Sequence, residues 1–166
     1  MIQKKICLIG AYAVGKTSLV ARFVRSIFSE KYHTTLGVKI DKKLVATAGG
    51  EVMLMIWDLA GEDEFIGVDL DYMRGAAGYL VIADGTRRSS LELAVALQQR
   101  IAERIGPVPF LLLVNKADLE AEWEVGKADL EKLSDVGWRI LRTSAKSGQG
   151  VEAAFLSLAG SLVSTP

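Results

Sequence analysis

Gly10-Ala11-Tyr12-Ala13-Val14-Gly15-Lys16-Thr17 fits the spacing G-x-x-x-x-G-K-[ST]. Glycines at both ends let the backbone wrap until successive N–H groups face inward, which makes a concavity for an anion. The residues from Ala13 through Val14, Gly15, Lys16 and Thr17 to Ser18 are the candidate phosphate contacts. Lys16 can span the outer phosphates of a polyphosphate as a point charge, and the Thr17 hydroxyl is a hard oxygen suited to Mg²⁺. A helix starting near Gly15 would add its positive end.

Two further sites carry weaker signals. Asp58 follows an apolar segment and opens Asp58-Leu59-Ala60-Gly61. A phosphate-bound Mg²⁺ needs a nearby carboxylate, and Asp58 can supply it; it also reads as an ordinary turn aspartate. Asn115-Lys116-Ala117-Asp118 follows another apolar run. A carboxylate there can accept from N1–H and the N2 amine of guanine, and adenine would leave it unmatched. Asn115 can tie neighbouring loops, and the Lys116 stem can lie over the base. Alone, the tetrapeptide is a weak signal and reads first as a plain strand-to-helix loop.

Positioning these residues takes strands that end where the loops begin. Lys5 to Ile9, Tyr79 to Ala83 and Phe110 to Val114 are short apolar runs, the mark of strands buried on both faces. Val38 to Ala46 alternates, Ala48-Gly49-Gly50 is a turn signal, and Val52 to Trp57 follows, which predicts an antiparallel hairpin. Trp138 to Leu141 is the last predicted strand. Helical spacing covers Thr17 to Ile27, a segment capped at Ser89 or Ser90 and ended by Gly106-Pro107, Gly126 to Leu133, and Val151 to Val163. Together these predict an α/β fold: a mostly parallel six-stranded sheet with one antiparallel strand and helices on both faces. Ligands then bind at the carboxyl ends of the strands, where all three motifs fall.

The 166 residues fit one domain, residues 1–166, with no linker or repeat. No apolar run is long enough to cross a bilayer, and no signal peptide is visible. The single cysteine, Cys7, excludes an internal disulfide and fits a reducing, cytoplasmic compartment; as part of a strand it should be buried and inert. A net charge of zero argues against a general nucleic-acid binder. Residues 1–50 nevertheless hold nine Lys/Arg against two Asp/Glu, and residues 51–80 hold one Arg against seven Asp/Glu.

With Tyr32-His33-Thr34-Thr35-Leu36-Gly37-Val38, Tyr72-Met73-Arg74-Gly75-Ala76 and Thr143-Ser144-Ala145-Lys146 in order beside the motifs above, the chain resembles the Ras-like small GTPases, nearest their Rab-like branch, over essentially its whole length. The resemblance implies a P-loop NTPase fold of the Ras-like G-domain type. It also implies GTP/GDP and Mg²⁺ as ligands, with a GTP/GDP switch as the function. It assigns Thr35 to Mg²⁺ and the γ-phosphate, Gly61 to the γ-phosphate, and Phe28 to the edge of the guanine. It assigns Ser144, Ala145 and Lys146 to the other side of the base. Metal ligands would be Thr17, Thr35 and Asp58; catalysis would fall to Lys16, Gly61 and Glu62. Residues 28–37 and 59–74 would be the surfaces read by effectors, an exchange factor and an activating protein, with the chain a monomer. They carry little continuous apolar pattern, so contacts to one γ-phosphate could order them and hydrolysis release them.

Two departures from the pattern matter. Glu62 stands where the family usually has glutamine. An ionised carboxylate donates no hydrogen bond to the phosphoryl oxygens and adds negative charge beside them, so slow hydrolysis is expected. Tyr12 replaces a small residue; its ring can crowd an arginine from an activating protein, cover the nucleotide, or swing outward. A GTP-loaded interaction module that hardly hydrolyses is the alternative, and a P-loop ATPase or small-molecule kinase is discouraged by Asp118 and Thr143 to Lys146. The acidic stretch with Glu62, Asp63, Glu64, Asp69 and Asp71 predicts a basic partner. The family's usual C-terminal cysteine is not seen before Pro166, so no membrane anchor is visible in this chain.

Overall fold

Strand β1 (Ile2–Gly10) turns from half-exposed to fully buried along its length, its last five residues being covered on both faces. Everything else is arranged around it. A computed structural model describes residues 2–26, 37–59 and 69–163. β1 pairs in parallel with β3 (Gly50–Leu59) on one side and β4 (Gly78–Asp84) on the other. β2 (Val38–Thr47) runs antiparallel to β3, forming the predicted hairpin with Thr47 opposite Gly50. β5 (Phe110–Asn115) and β6 (Ile140–Arg142) extend the other side in parallel. The sheet order β2-β3-β1-β4-β5-β6 is the expected mixed six-stranded sheet.

Alternate side chains of the central strands go to opposite faces, as the pleat requires. Ile6, Leu8, Leu54, Ile56, Leu80 and Ile82 pack on one face against α1 (Lys16–Arg25) and α4 (Val151–Leu162). Phe23 of α1 and Phe155 of α4 stack there with ring centroids 4.1 Å apart. Cys7, Ile9, Val81 and Val114 take the other face, under α2 (Arg88–Ile105), with Leu130 and Leu133 of α3 (Lys127–Asp135) at its margin. Burial of each such aliphatic side chain is worth about 2 kcal/mol. No helix among the described residues is long and apolar enough to cross a membrane.

Three local expectations need correction. Helix α2 starts before the two serines: its N-cap is Arg87, and Ser90 lies in the first turn, where its hydroxyl meets the backbone of Asp84 and Arg87. The last strand is shorter than 138–141 and ends one residue later. The second of the two predicted loop surfaces is partly built: Leu70–Met73 is a 3₁₀ turn that buries Leu70 and Met73, and Asp69 caps it by accepting from the Asp71 amide at 3.0 Å. Asp71 pairs with Arg104, so part of that acidic charge is answered within the chain.

Cys7 is fully buried, and burial pushes its thiol up to about 12. Thiolate is the reactive form. In the native protein at pH 8 a thiol reagent should therefore label Cys7 at a rate set by opening of the sheet, and at full speed after denaturation. Immediate stoichiometric labelling of folded protein would refute this burial.

Candidate functional site

The phosphate loop leaves the buried end of β1 and enters α1 at Lys16, the strand–loop–helix context that its spacing requires. A Cβ on Gly10 would lie 2.4 Å from the Ile82 carbonyl oxygen, so only glycine lets the loop leave so close to β4. Gly15 sits at φ 102°, and a Cβ there would meet Asn115 Nδ2 at 2.3 Å. Ala13 also takes positive φ, 68°, which costs an alanine about 1 kcal/mol and is a mark of functional loops.

Lys16 is 6% exposed, and its Nζ donates to the Ala11 carbonyl at 3.3 Å. Burial brings its ammonium down to about 8; Asp58 pulls it up and Arg87 pushes it further down. An anion in the loop would reverse that cost. Thr17 Oγ1 donates to Asp58 Oδ2 at 2.5 Å, and Asp58 is fully buried at the end of β3. A hydroxyl and a carboxylate held together at a helix start are hard oxygen donors, the set that Mg²⁺ prefers. The two predicted metal ligands Thr17 and Asp58 are thus adjacent.

The Asn115–Asp118 loop, the candidate base loop, is tied to the Gly10–Thr17 phosphate loop by one side chain. Asn115, 2% exposed at the end of β5, donates through Nδ2 to the Val14 carbonyl at 2.9 Å. Its Oδ1 accepts from Thr143 Oγ1 at 3.1 Å and from the Ala145 amide at 3.4 Å. Ser144 Oγ donates to Asp118 Oδ1 at 2.7 Å, fixing the exposed carboxylate. Arg22 of α1 reaches across to the carbonyls of Ala145, at 2.8 Å, and Lys146. Four motifs separated in sequence therefore meet at the carboxyl edge of the sheet. Ser18 lies in the first turn of α1. Phe28, Thr35, Gly61 and Glu62, together with most of 28–37 and 59–68, fall outside the described residues.

Sequence reasoning missed three supports. Trp123 Nε1 donates to the Lys116 carbonyl at 2.9 Å, holding Lys116 in its left-handed conformation at φ 72°. Its ring lies against Gly85, where a Cβ would come within 2.1 Å. Asp84, 1% exposed, accepts from Lys116 Nζ at 2.7 Å. Burial alone would raise the Asp84 carboxyl, but the bond from Lys116, with those from Thr86, outweighs it and holds the carboxyl below its ordinary value. Arg87 completes this group, with Nε 3.2 Å from Asp84. Only a strand-end aspartate beside basic residues hinted at it. Tyr12 is 40% exposed, and Arg87 donates to its carbonyl at 2.7 Å.

The sequence model of the Ras family matches residues 5–164. The Ras-related protein Rab-13 of Bos taurus is 38% identical over 157 residues, covering 93% of this chain and 77% of its own. Rab-13 of Canis lupus familiaris is 38% identical over the same length. The Ras-related protein Rab-8B of Homo sapiens is 36% identical, covering 93% of this chain and 76% of its own.

Proposed function

Since the chain belongs to the Ras family of small GTP-binding switch proteins, we propose that it binds GTP and GDP with Mg²⁺ at the Gly10–Thr17 and Asn115–Asp118 loops and cleaves GTP slowly. The observation that carries this reading is the span of Asn115, whose amide holds Val14 of the phosphate loop and whose oxygen holds the Thr143–Lys146 loop. On this reading one side chain so placed joins the anion-binding loop and the purine-binding loops into a single site.

In that site the amides from Ala13 to Ser18 and the Lys16 ammonium hold the phosphates, and Asp118 selects guanine over adenine. Phe28 and the Ser144, Ala145 and Lys146 stretch enclose the base. Thr17 and Asp58, with Thr35, would hold Mg²⁺, which when bound neutralises phosphate charge. Cleavage is attack of water on the γ-phosphorus with loss of the bond to the β–γ bridging oxygen. Lys16 stabilises the charge that moves onto that oxygen. Gly61 offers an amide to the γ-phosphate. Glu62 can orient the water as an acceptor but gives no donor to the phosphoryl oxygens, which leaves the intrinsic rate low. Effectors, an exchange factor and an activating protein would read residues 28–37 and 59–74.

Calorimetry with Mg²⁺ should show GDP and GTP binding far tighter than ADP and ATP; equal affinities would overturn the assignment of the base site. Glu62→Gln should raise single-turnover GTP cleavage, timed by chromatography of bound nucleotide, by about tenfold or more, since one missing transition-state donor is worth that much. No rise would remove Glu62 as the limit. Cleavage below detection in both proteins would favour the second reading, a switch that works by staying loaded, to which the Glu62 and Tyr12 replacements point.

A further inference from the structure

The Lys-Thr and Asn-Lys-x-Asp patterns give no role to residues 84–87, yet those residues join the two loops electrostatically. Asp84 ends β4 as a carboxylate pinned on every side: Oδ1 accepts from the Thr86 amide at 2.8 Å and its hydroxyl at 2.7 Å. Oδ2 accepts from two cations that belong to different loops. Lys116 Nζ, at 2.7 Å, comes from the base loop. Arg87 Nε, at 3.2 Å, comes from the start of α2, and the same guanidinium donates through its other end to the Tyr12 carbonyl at 2.7 Å.

A guanidinium is suited to this task, since its planar fork serves an anion and a carbonyl at once; an ammonium is a point charge that favours one. Arg87 is anchored by being the N-cap of α2, so the carbonyl of Tyr12 is held against a fixed helix end. Without that bond the phosphate loop would keep the Lys16 bond to the Ala11 carbonyl and Asn115 as a tie at Val14, but lose this charge-assisted contact at the Tyr12 carbonyl.

We infer that Arg87 is a positioning residue of the phosphate loop, and that with Asp84 and Lys116 it forms a cation–carboxylate–cation link through which the base loop steadies the phosphate loop and slows release of guanosine diphosphate. The inference rests on the nucleotide site proposed above. Arg87 reaches the phosphate loop at the Tyr12 carbonyl oxygen. It acts through the Tyr12 backbone.

A fluorescent GDP analogue bound to the full chain with Mg²⁺ measures the release rate. Arg87→Ala should speed release about tenfold, the loss of one charge-assisted hydrogen bond discounted for an exposed guanidinium. Arg87→Lys should fall between, keeping the contact to Asp84 and losing that to Tyr12. Affinity for GMP, measured by competition, should change less than twofold in Arg87→Ala, because its single phosphate depends least on the outer loop. A merely structural residue would weaken GDP and GMP alike. Equal weakening of both, or unchanged GDP release in both variants, overturns the inference. Failure of the unsubstituted chain to bind GDP at all would instead overturn the nucleotide site.

Discussion

Asp118→Asn should cost guanosine diphosphate at least about a hundredfold in affinity and give xanthosine diphosphate a site it did not have. On the proposed reading the carboxylate would accept from N1–H and the N2 amine, two charge-assisted bonds of about 1.5–3 kcal/mol each. Each 1.4 kcal/mol is tenfold. Asparagine puts an N–H₂ where one acceptor stood. Ser144 Oγ, which donates to Asp118 Oδ1 at 2.7 Å, keeps the amide oxygen on its side, so the new donor faces the base. Guanine then opposes donor with donor, whereas the 2-oxo group of xanthine accepts. Competition between the two diphosphates for a fluorescent analogue measures the exchange of preference. Undiminished GDP affinity would mean that Asp118 does not read the base.

Gly15→Ala should be as damaging for a different reason. The residue sits at φ 102°, where alanine is strained by about 1–2 kcal/mol. The added methyl carbon would also lie 2.3 Å from Asn115 Nδ2, far inside contact distance. Relief means moving Asn115, whose bonds hold Val14, Thr143 and Ala145. One methyl group therefore unsettles the phosphate end and the base end together. GDP affinity should drop by about three orders of magnitude, while circular dichroism keeps the native helix and strand signal because the sheet core is untouched. A tenfold loss or less would show that the two loops are less tightly joined than their geometry implies.

The sequence made the strands and the phosphate loop legible because their information is local. Apolar runs such as Tyr79 to Ala83 can only be buried strands in a sheet covered on both faces, and all seven residues of β4 are buried. A glycine-framed lysine after such a run has few other uses. What could not be read was set by contacts across the chain. Ser89 and Ser90 look like caps in the sequence, yet the end of β4 claims Ser90 for the Asp84 backbone and α2 begins earlier, at Arg88. Trp123 reads as packing, and its indole N–H on the Lys116 carbonyl depends on a loop fold that no periodicity encodes. Arg87 meets Tyr12 across 75 positions of sequence. Leu70 and Met73 sit in a stretch too short for any pattern, and only the sheet surface beneath them makes them core.

The order of the strands leaves β2, ten residues long, at the open end of the sheet opposite the three-residue β6. Ile40 and Leu44 are exposed along it, at 46% and 44%. A long border with bare aliphatic side chains is a template on which another extended chain can be laid down. Lys39 and Lys42 interrupt it, both exposed, each bringing a charge that two such borders would have to bring together. Neutralising them, by acetylation or substitution with glutamine, would turn a strand that tolerates crowding into one that invites fibrous self-association.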